Sequence, residues 1–237
     1  MEENELQKLW AMLGLRYQSH PWHGIPIGER APDVVTAFIE ITPSDTVKYE
    51  IDKRTGFLKV DRPQKFSNIV PTLYGFIPQT YCQDAAAAYC MQKTGRKDMI
   101  GDGDPLDICV LTERLIPTGG IIVQVVPIGG FRLIDNREAD DKIIAVLQQD
   151  EIYGQLRDIT ELPDAIINRL KHYFLTYKQL PNQAPQCEIT HVYGRTEAQE
   201  VIRCCQEDYE NSFGGLESKM SEMVLNLLRI QKTEEDS

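Results

Sequence analysis

Residues 102–111 decide the fold and the chemistry that this sequence predicts, and they read Asp102-Gly103-Asp104-Pro105-Leu106-Asp107-Ile108-Cys109-Val110-Leu111. Three carboxylates within six residues repel one another strongly unless cations neutralise them. Gly103 lets the backbone bend, and Pro105 fixes a turn before a β-type run over 107–111. Such a turn can direct all three carboxylates at one cavity, where oxygen ligands of this kind suit Mg²⁺.

A calcium-binding EF-hand loop is the obvious alternative for this acidic run. That loop requires oxygen ligands at its positions 1, 3 and 5, Gly at position 6 and Glu at position 12. Counted from Asp102, position 5 is Leu106 and position 6 is Asp107, so the pattern fails. An exposed acidic turn without a metal stays open for the run taken alone.

Short β-type runs surround the acidic run and predict the architecture. Gly, Pro and Asp clusters separate them, and no helices are interleaved among them. This pattern favours an antiparallel barrel or a strongly twisted sheet. The predicted strands cover 34–41, 47–51, 57–61, 107–111, 121–128 and 142–147.

Helical patterns flank this β region. Apolar residues at helical spacing predict a helix over 4–15, and a Pro- and Gly-rich stretch over 20–32 predicts an extended arm. Pro163 stands near the start of a second helical pattern that reaches Tyr177. Thr196 is predicted to cap a third helix.

The chain end continues in the same way. The helix capped by Thr196 is expected to run to about Tyr209, and a further helix to cover about 216–230. The polar residues 232–237 are expected to fray. Residues 82–100, with an Ala run and then basic residues, predict an inserted surface excursion that covers part of a site.

The bulk properties narrow the function classes. The chain has 237 residues and a formal net charge of −11. That length suits one domain, and such an acidic surface argues against nucleic acid or an anionic membrane as a partner. No apolar run approaches the ~20 residues of a membrane span, and the acidic start is not a secretory signal. We therefore expect a cytoplasmic protein.

The six cysteines include no C-x-x-C pair, which argues against a zinc ribbon. We expect reduced thiols, as is typical of a cytosolic protein, while a Cys82–Cys90 disulfide stays open. The spacing of His20 and His23 resembles half a metal site, but nothing nearby completes it. A structural role for the two histidines is therefore favoured.

The run 48–53 could contribute to a site. Alternate side chains of a strand share a face, so Lys48, Glu50 and Asp52 are predicted to point the same way. If this face borders a cavity, Lys48 could hold a phosphate and Glu50 a metal-bound water. Ordinary solvated surface is the alternative.

The run 135–142 is either a polar hairpin loop or a second source of carboxylates, with Asp140 and Lys142 on one face. Other candidates for phosphate binding follow strands and helices elsewhere. Arg62 offers a planar, bidentate donor. Tyr74 and Tyr177 add hydroxyls, and Lys178 adds a cation.

These residues together resemble the family I soluble inorganic pyrophosphatases. The motif D-G-D-P-L-D is similar to the signature of that family. Glu40 in 38–41, the run 48–53 and 60–62 look like its early strands. The order and approximate spacing hold from about 34 to 178, including 74–77 before the signature and 172–178 after it.

The resemblance implies a mainly β fold with flanking α-helices (α+β) in one domain over 1–237. Its core, at about 34–180, would be a five-stranded, OB-like barrel with an N-terminal arm. The insertion 82–100 and a C-terminal helical extension at about 195–237 exceed the short bacterial type. The resemblance also implies a homo-oligomer, with dimer and hexamer both open.

The implied reaction is hydrolysis of pyrophosphate to two phosphates with three or four Mg²⁺ ions, for which Mn²⁺ or Zn²⁺ are possible substitutes. Asp104 would be the general base. The implied metal ligands are Asp102, Asp107, Asp135, Asp140 and, through water, Glu50. The implied phosphate-holding residues are Lys48, Arg62, Tyr74, Lys142, Tyr177 and Lys178.

Two positions depart from the short bacterial pattern, which would carry Tyr at Val70 and an acid at Asn136.

Two other functions are alternatives to this one. A phosphohydrolase for nucleotides is disfavoured because no P-loop or base-recognition motif is present. A silent metal-binding scaffold is disfavoured because every acidic and basic position expected at the site core is present.

Overall fold

The structure is a computed structural model that describes residues 18–179, 186–215 and 222. The predicted helix over 4–15 and the polar end over 232–237 lie outside these residues. The predicted helix over 216–230 also lies outside them, apart from residue 222.

The described residues form ten strands and four helical segments. The strands are β1 (Val35–Ile41), β2 (Val47–Ile51), β3 (Leu58–Pro63), β4 (Leu73–Phe76), β5 (Ile100–Gly101), β6 (Asp107–Leu111), β7 (Ile121–Asp135), β8 (Glu138–Ala139), β9 (Lys142–Leu147) and β10 (Cys187–Gly194). The helices are α1 (Asp84–Thr94), a short 3₁₀-helix (Ile159–Glu161), α2 (Asp164–Thr176) and α3 (Arg195–Phe213).

Five of the strands close into a ring. Going round it, β1 pairs with β4, β4 with β6, β6 with β9, β9 with β7, and β7 returns to β1. All of these pairs are antiparallel except β6 and β9, which run parallel. The predicted mainly β fold with a five-stranded, OB-like barrel is therefore confirmed.

Alternate side chains of the barrel strands enter two apolar cores. Ile108 of β6 and Ile143 of β9 pack in a core that also holds the buried face of α3. Their neighbours Cys109 and Ile144 pack in a second core with α2. The strand period of two thus distributes one apolar run to opposite faces, and each face is covered by a helix.

The sequence located β2, β6 and β9 at their observed bounds, but it placed the end of β7 at residue 128 instead of Asp135. The pattern is interrupted there because the register shifts between Pro127 and Gly129. At Gly130 a Cβ atom would lie 2.5 Å from the Tyr193 ring, so this strand needs a residue without a side chain to admit β10.

The helix α2 forms as predicted, whereas the predicted cap of α3 is wrong. The helix begins at Arg195, one residue before Thr196. The Asp158 carboxylate accepts a hydrogen bond from the Arg195 backbone N–H at 2.8 Å. A carboxylate from a distant segment therefore takes the place that a local Thr was expected to fill.

The insertion 82–100 contains the helix α1, which buries Ala87 and Cys90 against the rest of the fold. The buried Asp208 of α3 accepts hydrogen bonds from the backbone N–H groups of Gln83, Ala85 and Ala86 at 2.8–3.0 Å. These are N–H groups at the N-terminus of α1, so α3 caps the inserted helix.

The six cysteines are free thiols. The Cys82 Sγ atom contacts the Cys205 Sγ atom at 3.7 Å, and no bond joins Cys82 to Cys90. None of the helices in the described part of the chain has the length and apolar character needed to cross a membrane.

We expect Asp208→Ala to lower the free energy of unfolding by about 1–3 kcal/mol, because it removes the partner of three partly buried backbone N–H groups. Urea denaturation measures this change. The exposed neighbour Glu207 on the same helix provides the control, since Glu207→Ala should stay within about 0.5 kcal/mol of the wild type. Equal effects of the two substitutions would contradict the capping role.

Candidate active site

A polar cavity of about 220 Å³ lies at the end of the barrel where β6 and β9 begin. Its lining joins residues from β1, β2, β4, β6, β7, β8, β9 and α2 with the turn before β6. The charged lining residues are Glu40, Lys48, Glu50, Lys53, Asp102, Asp104, Asp107, Asp135, Glu138, Asp140, Lys142 and Lys178.

The acidic run enters this cavity through a tight turn. Gly103 has a φ of +72°, which a side chain would disfavour. The Asp102 carboxylate accepts the Asp104 backbone N–H at 2.9 Å, so the turn closes on itself. Asp102, Asp104 and Asp107 all line this one cavity.

Asp107 and Lys142 are brought together by the parallel pairing of β6 and β9. They are the first residues of their strands and lie opposite one another in the register. The Lys142 ammonium group bonds both Asp107 and Asp140, and its side chain is 2% exposed. The Tyr74 hydroxyl donates a 2.6 Å hydrogen bond to Asp107 Oδ2.

The electrostatics of this cluster follow from burial. Burial lowers the pKa of Lys142, but Asp107 and Asp140 raise it well above its ordinary value, so the group stays charged. Burial and the Asp107 carboxylate raise the pKa of the Tyr74 phenol well above its ordinary value. Tyr74 therefore stays a neutral hydrogen-bond donor.

Asp102 and Asp140 are two neighbouring carboxyl groups whose pKa values are shifted in opposite directions. Burial and the charge of Asp140 raise the pKa of Asp102. Burial also raises the pKa of Asp140, but Lys142 and other donors lower it below its ordinary value. In the metal-free protein the pKa of Asp102 thus lies above that of Asp140, because the Lys142 ammonium group bonds Asp140 directly and acts on Asp102 only from a greater distance.

Asp135 and Lys178 form the opposite wall. The Lys178 ammonium group bonds Asp135, and the mostly buried Tyr177 precedes it at the end of α2. Asn136, at the position where an acid was expected, has a φ of +57° and donates a 3.0 Å hydrogen bond to Asp135 Oδ1. An amide thus orients the carboxylate at this position.

The β2–β3 hairpin supplies a further wall. Lys48 bonds Glu50 and lies 3.4 Å from Asp61, and both Lys48 and Glu50 line the cavity. Asp52 does not share their face, because β2 ends at Ile51. The Asp52 carboxylate instead accepts hydrogen bonds from Thr55 in the following turn.

Arg62 is the predicted site residue that the cavity lining does not include. It lies opposite Lys48 in the hairpin register, and its guanidinium group is bonded to Asp61. Asp61 thus joins Arg62 to Lys48 beside the cavity. The role of Arg62 in holding phosphate stays a prediction.

Four polar lining residues were not among the predicted site residues: Glu40, Lys53, Glu138 and Tyr173. Glu40 accepts the Ile51 backbone N–H at 2.7 Å and so ties β1 to β2. Lys53 bonds Asp104 and donates a 3.0 Å hydrogen bond to the Gly103 carbonyl oxygen. Their positions in strand-like runs gave a signal, but only tertiary folding directs them at the cavity.

The insertion 82–100 was expected to cover part of the site, and this is wrong for the described residues. None of the cavity lining comes from it. It supports the acidic turn from behind, since the Cys82 carbonyl accepts the Gly103 N–H at 3.0 Å.

His20 and His23 also lie outside the lining, and His23 Nδ1 is 2.9 Å from the Tyr209 hydroxyl.

The cavity carries more acid than base, which bears on whether metal ions fit it. Eight carboxyl groups and four lysines line it, an excess of four carboxyl groups. Within the described ranges, no group of three acidic, Cys or His residues is arranged to hold a metal ion. Lysines bridge the carboxylates instead. Carboxylate oxygens in excess are the donor set that hard divalent cations prefer. The residues present therefore fit such ions.

Comparisons with known proteins agree with each other. A family model described as inorganic pyrophosphatase matches residues 37–210. An inorganic pyrophosphatase of Chlamydia trachomatis is 52% identical over 200 residues, which cover 82% of this chain and 96% of that protein. A soluble inorganic pyrophosphatase of Oryza sativa is 39% identical over 166 residues, 70% of this chain and 68% of that one.

A solved structure gives the same result. The crystal structure of inorganic pyrophosphatase from Thermus thermophilus has a TM-score of 0.68 and 30% sequence identity to this chain. The match covers 81% of this chain and 99% of that one.

Burial raises the pKa of Glu40 from 4.5 to about 8. Between those values the folded protein keeps a proton that the unfolded chain loses, so Glu40 makes stability fall as pH rises. In metal-free wild-type protein, we expect Glu40 to make the free energy of unfolding fall between about pH 5 and pH 8. Glu40→Gln should make this fall smaller, by up to about 1.4 kcal/mol per pH unit. Urea denaturation across that range measures it.

The control for this test is the exposed Glu151, whose change to Gln should leave the wild-type pH profile unaltered. The amide introduced by Glu40→Gln would keep an acceptor oxygen for the Ile51 N–H, so only the titration is removed. Parallel profiles for Glu40→Gln and the wild type would show that Glu40 is not held protonated.

Proposed function

This chain belongs to the inorganic pyrophosphatase family, and on that premise we propose how its residues carry out the reaction. The protein is an enzyme, a hydrolase that converts pyrophosphate to two orthophosphates. Its family is metal-dependent. The number and identity of the metals, the roles of single residues, and the assembly are the parts that we propose.

We propose Mg²⁺ as the metal, at three or four ions per site, with Mn²⁺ or Zn²⁺ as possible substitutes. The excess of four carboxyl groups in the cavity is the observation that supports this most directly, because an acidic cavity would otherwise repel a polyanionic substrate. The residues that would hold the ions are Asp102, Asp107, Asp135, Asp140 and, through water, Glu50. When bound, such ions neutralise phosphate charge and make water more acidic.

The cationic and hydroxyl groups of the cavity would hold the phosphoryl oxygens. Lys142 and Lys178 remain charged in the site, since burial lowers their pKa values but nearby carboxylates and tyrosine hydroxyls raise them above the ordinary value. Tyr74 and Tyr177 stay protonated because burial raises their pKa values. Lys48 and Arg62 would complete this set from the β2–β3 hairpin. Lysines that pair with carboxylates in the metal-free site would exchange them for substrate oxygens.

Asp104 would be the general base that takes the proton of the attacking water. Its side chain is 52% exposed, against 24% for Asp107, so it is accessible to a water in the cavity. It lies in the same turn as two proposed ligands without bonding Lys142. A carboxylate beside a nucleophilic water typically contributes about 10²–10⁴-fold to the rate of such a reaction.

We further propose a homo-oligomer in the cytoplasm that binds neither nucleic acid nor membranes. The formal net charge of −11 supports the last two points through repulsion of other polyanions. The assignment of 1–237 to one domain with an extension from about 195 also remains a proposal.

Asp104→Asn should reduce turnover about 10²–10⁴-fold while leaving Mg²⁺ binding intact, because it removes a base and no ligand. Asp107→Asn should lose both turnover and Mg²⁺ affinity. Phosphate release measures the first property, and calorimetric titration of metal-free protein measures the second. Full activity of both variants would overturn these roles, and loss of Mg²⁺ binding in Asp104→Asn would make it a ligand instead.

Chelation of divalent ions should abolish phosphate release from pyrophosphate, and added Mg²⁺ should restore it, because the acidic cavity repels the bare anion.

A panel of pyrophosphate and nucleoside triphosphates, each with Mg²⁺, tests the substrate class. We expect pyrophosphate to be strongly preferred. Equal rates on nucleoside triphosphates would contradict this specificity, and unaltered activity after chelation would contradict the metal assignment.

A further inference from the structure

A buried ionic cluster lies directly behind the cavity and has no part in the roles proposed above. Its centre is Arg132 of β7, whose side chain is fully buried. The guanidinium group donates hydrogen bonds from Nε and Nη2 to the two carboxylate oxygens of Asp141, at 3.3 and 3.0 Å. Its Nη1 donates a 2.8 Å hydrogen bond to Glu197 Oε1.

Two aromatic rings also contact the same guanidinium group. The Arg132 Cζ atom lies 5.2 Å from the ring centre of Tyr89 and 5.2 Å from that of Tyr193. The Tyr193 hydroxyl also donates a 3.1 Å hydrogen bond to Asp141 Oδ2. The orientation of Asp141 is therefore fixed by three donors, in surroundings where electrostatic contacts are strong.

The position of Asp141 in the chain makes this cluster relevant to the reaction. It stands between Asp140 and Lys142, which both line the cavity. Neighbouring residues of an extended chain point to opposite faces, so Asp141 points into the cluster while its two neighbours point into the site. A bidentate anchor on the middle residue restrains the backbone, and so the carboxylate and ammonium groups on each side.

Two of the contacts of Arg132 come from segments outside the barrel. Tyr89 belongs to α1, in the insertion 82–100, and Glu197 belongs to α3. Lys93 of α1 lies 3.7 Å from Glu197 Oε2 and so joins these two helices. Through the cluster, side chains of the insertion and of α3 are thus linked to Asp141, which lies between two cavity residues. The helix α1 itself contributes no residue to the cavity lining.

We propose that Arg132 and Asp141 are positioning residues that hold Asp140 and Lys142 in the geometry needed to bind Mg²⁺ and pyrophosphate, with α1 and α3 as their support. This inference rests on the proposed roles of Asp140 and Lys142. Partners that orient a metal ligand without touching the metal typically change metal affinity by about 10–100-fold when they are replaced. A purely structural ion pair would change stability alone.

Calorimetric titration of metal-free protein with Mg²⁺ tests the proposal, with phosphate release as a second measurement. Asp141→Asn keeps the shape of the side chain but removes the charge that anchors it. We expect its affinity for Mg²⁺ to fall about 10-fold or more. The Mg²⁺ concentration for half-maximal activity should rise in parallel.

Asp150→Asn is the matched control. Asp141 and Asp150 are each 8% exposed. Asp150 accepts hydrogen bonds from Thr112, Glu113, Ile152 and Tyr153. It lies beyond the far end of β9, away from the cavity. We expect Asp150→Asn to lower the free energy of unfolding while its Mg²⁺ affinity stays at the wild-type value.

Arg132→Lys is the second test variant, and it decides the matter if Asp141→Asn does not fold. It keeps a positive charge beside Glu197 but loses the two-pronged contact with Asp141. A fall in Mg²⁺ affinity of about 10-fold is again expected. Wild-type Mg²⁺ affinity in the folded test variants, together with reduced stability, would overturn the proposal.

Asp140→Asn separates this failure from a failure of the proposed function. If Asp140→Asn loses Mg²⁺ affinity and Asp141→Asn does not, the ligand assignment stands and the positioning role is overturned. If Asp140→Asn binds Mg²⁺ like the wild type, the ligand assignment itself is overturned, and the positioning role fails with it.

Discussion

The parallel pairing of β6 with β9 is the constraint on which the rest of the site depends. It sets Asp107 opposite Lys142 at the first residue of each strand, where the backbone ladder continues into an apolar core. Two charged side chains are thereby held at the edge of a barrel that cannot relax without losing core packing. The opposing charges offset part of the burial cost, and the surplus acid leaves the cavity ready for cations.

Much of this arrangement could be predicted from local sequence. The run 102–107 contains its own turn residues, so its geometry needs few distant contacts, and β2, β6 and β9 follow from apolar runs bounded by turns. Asp140 and Lys142 both line the cavity, as expected for residues two apart in an extended segment. The resemblance to a known family then supplied the roles that spacing alone left open.

Other features escaped because they depend on distant partners. The start of α3 is stabilised by Asp158 and not by the local Thr196, and the N-terminus of α1 is capped by Asp208, which is more than 120 residues away in sequence. The extent of β7 was missed because Pro127 and two glycines interrupt its pattern. Glu40 and Lys53 likewise read as ordinary strand or turn residues until the barrel brings them together.

The cap that Asp208 provides for α1 also has a temporal consequence. During synthesis the chain emerges from its N-terminus, so α1 leaves the ribosome long before the residue that satisfies its first backbone N–H groups. The barrel closes by pairing β1 with β7, again across a long stretch of chain. Contacts between such distant segments are slow to form, and domains generally fold as units. The end of the barrel that holds the cavity is therefore complete only after Lys178, the last of its described lining residues, has been made, and α1 gains its cap later still.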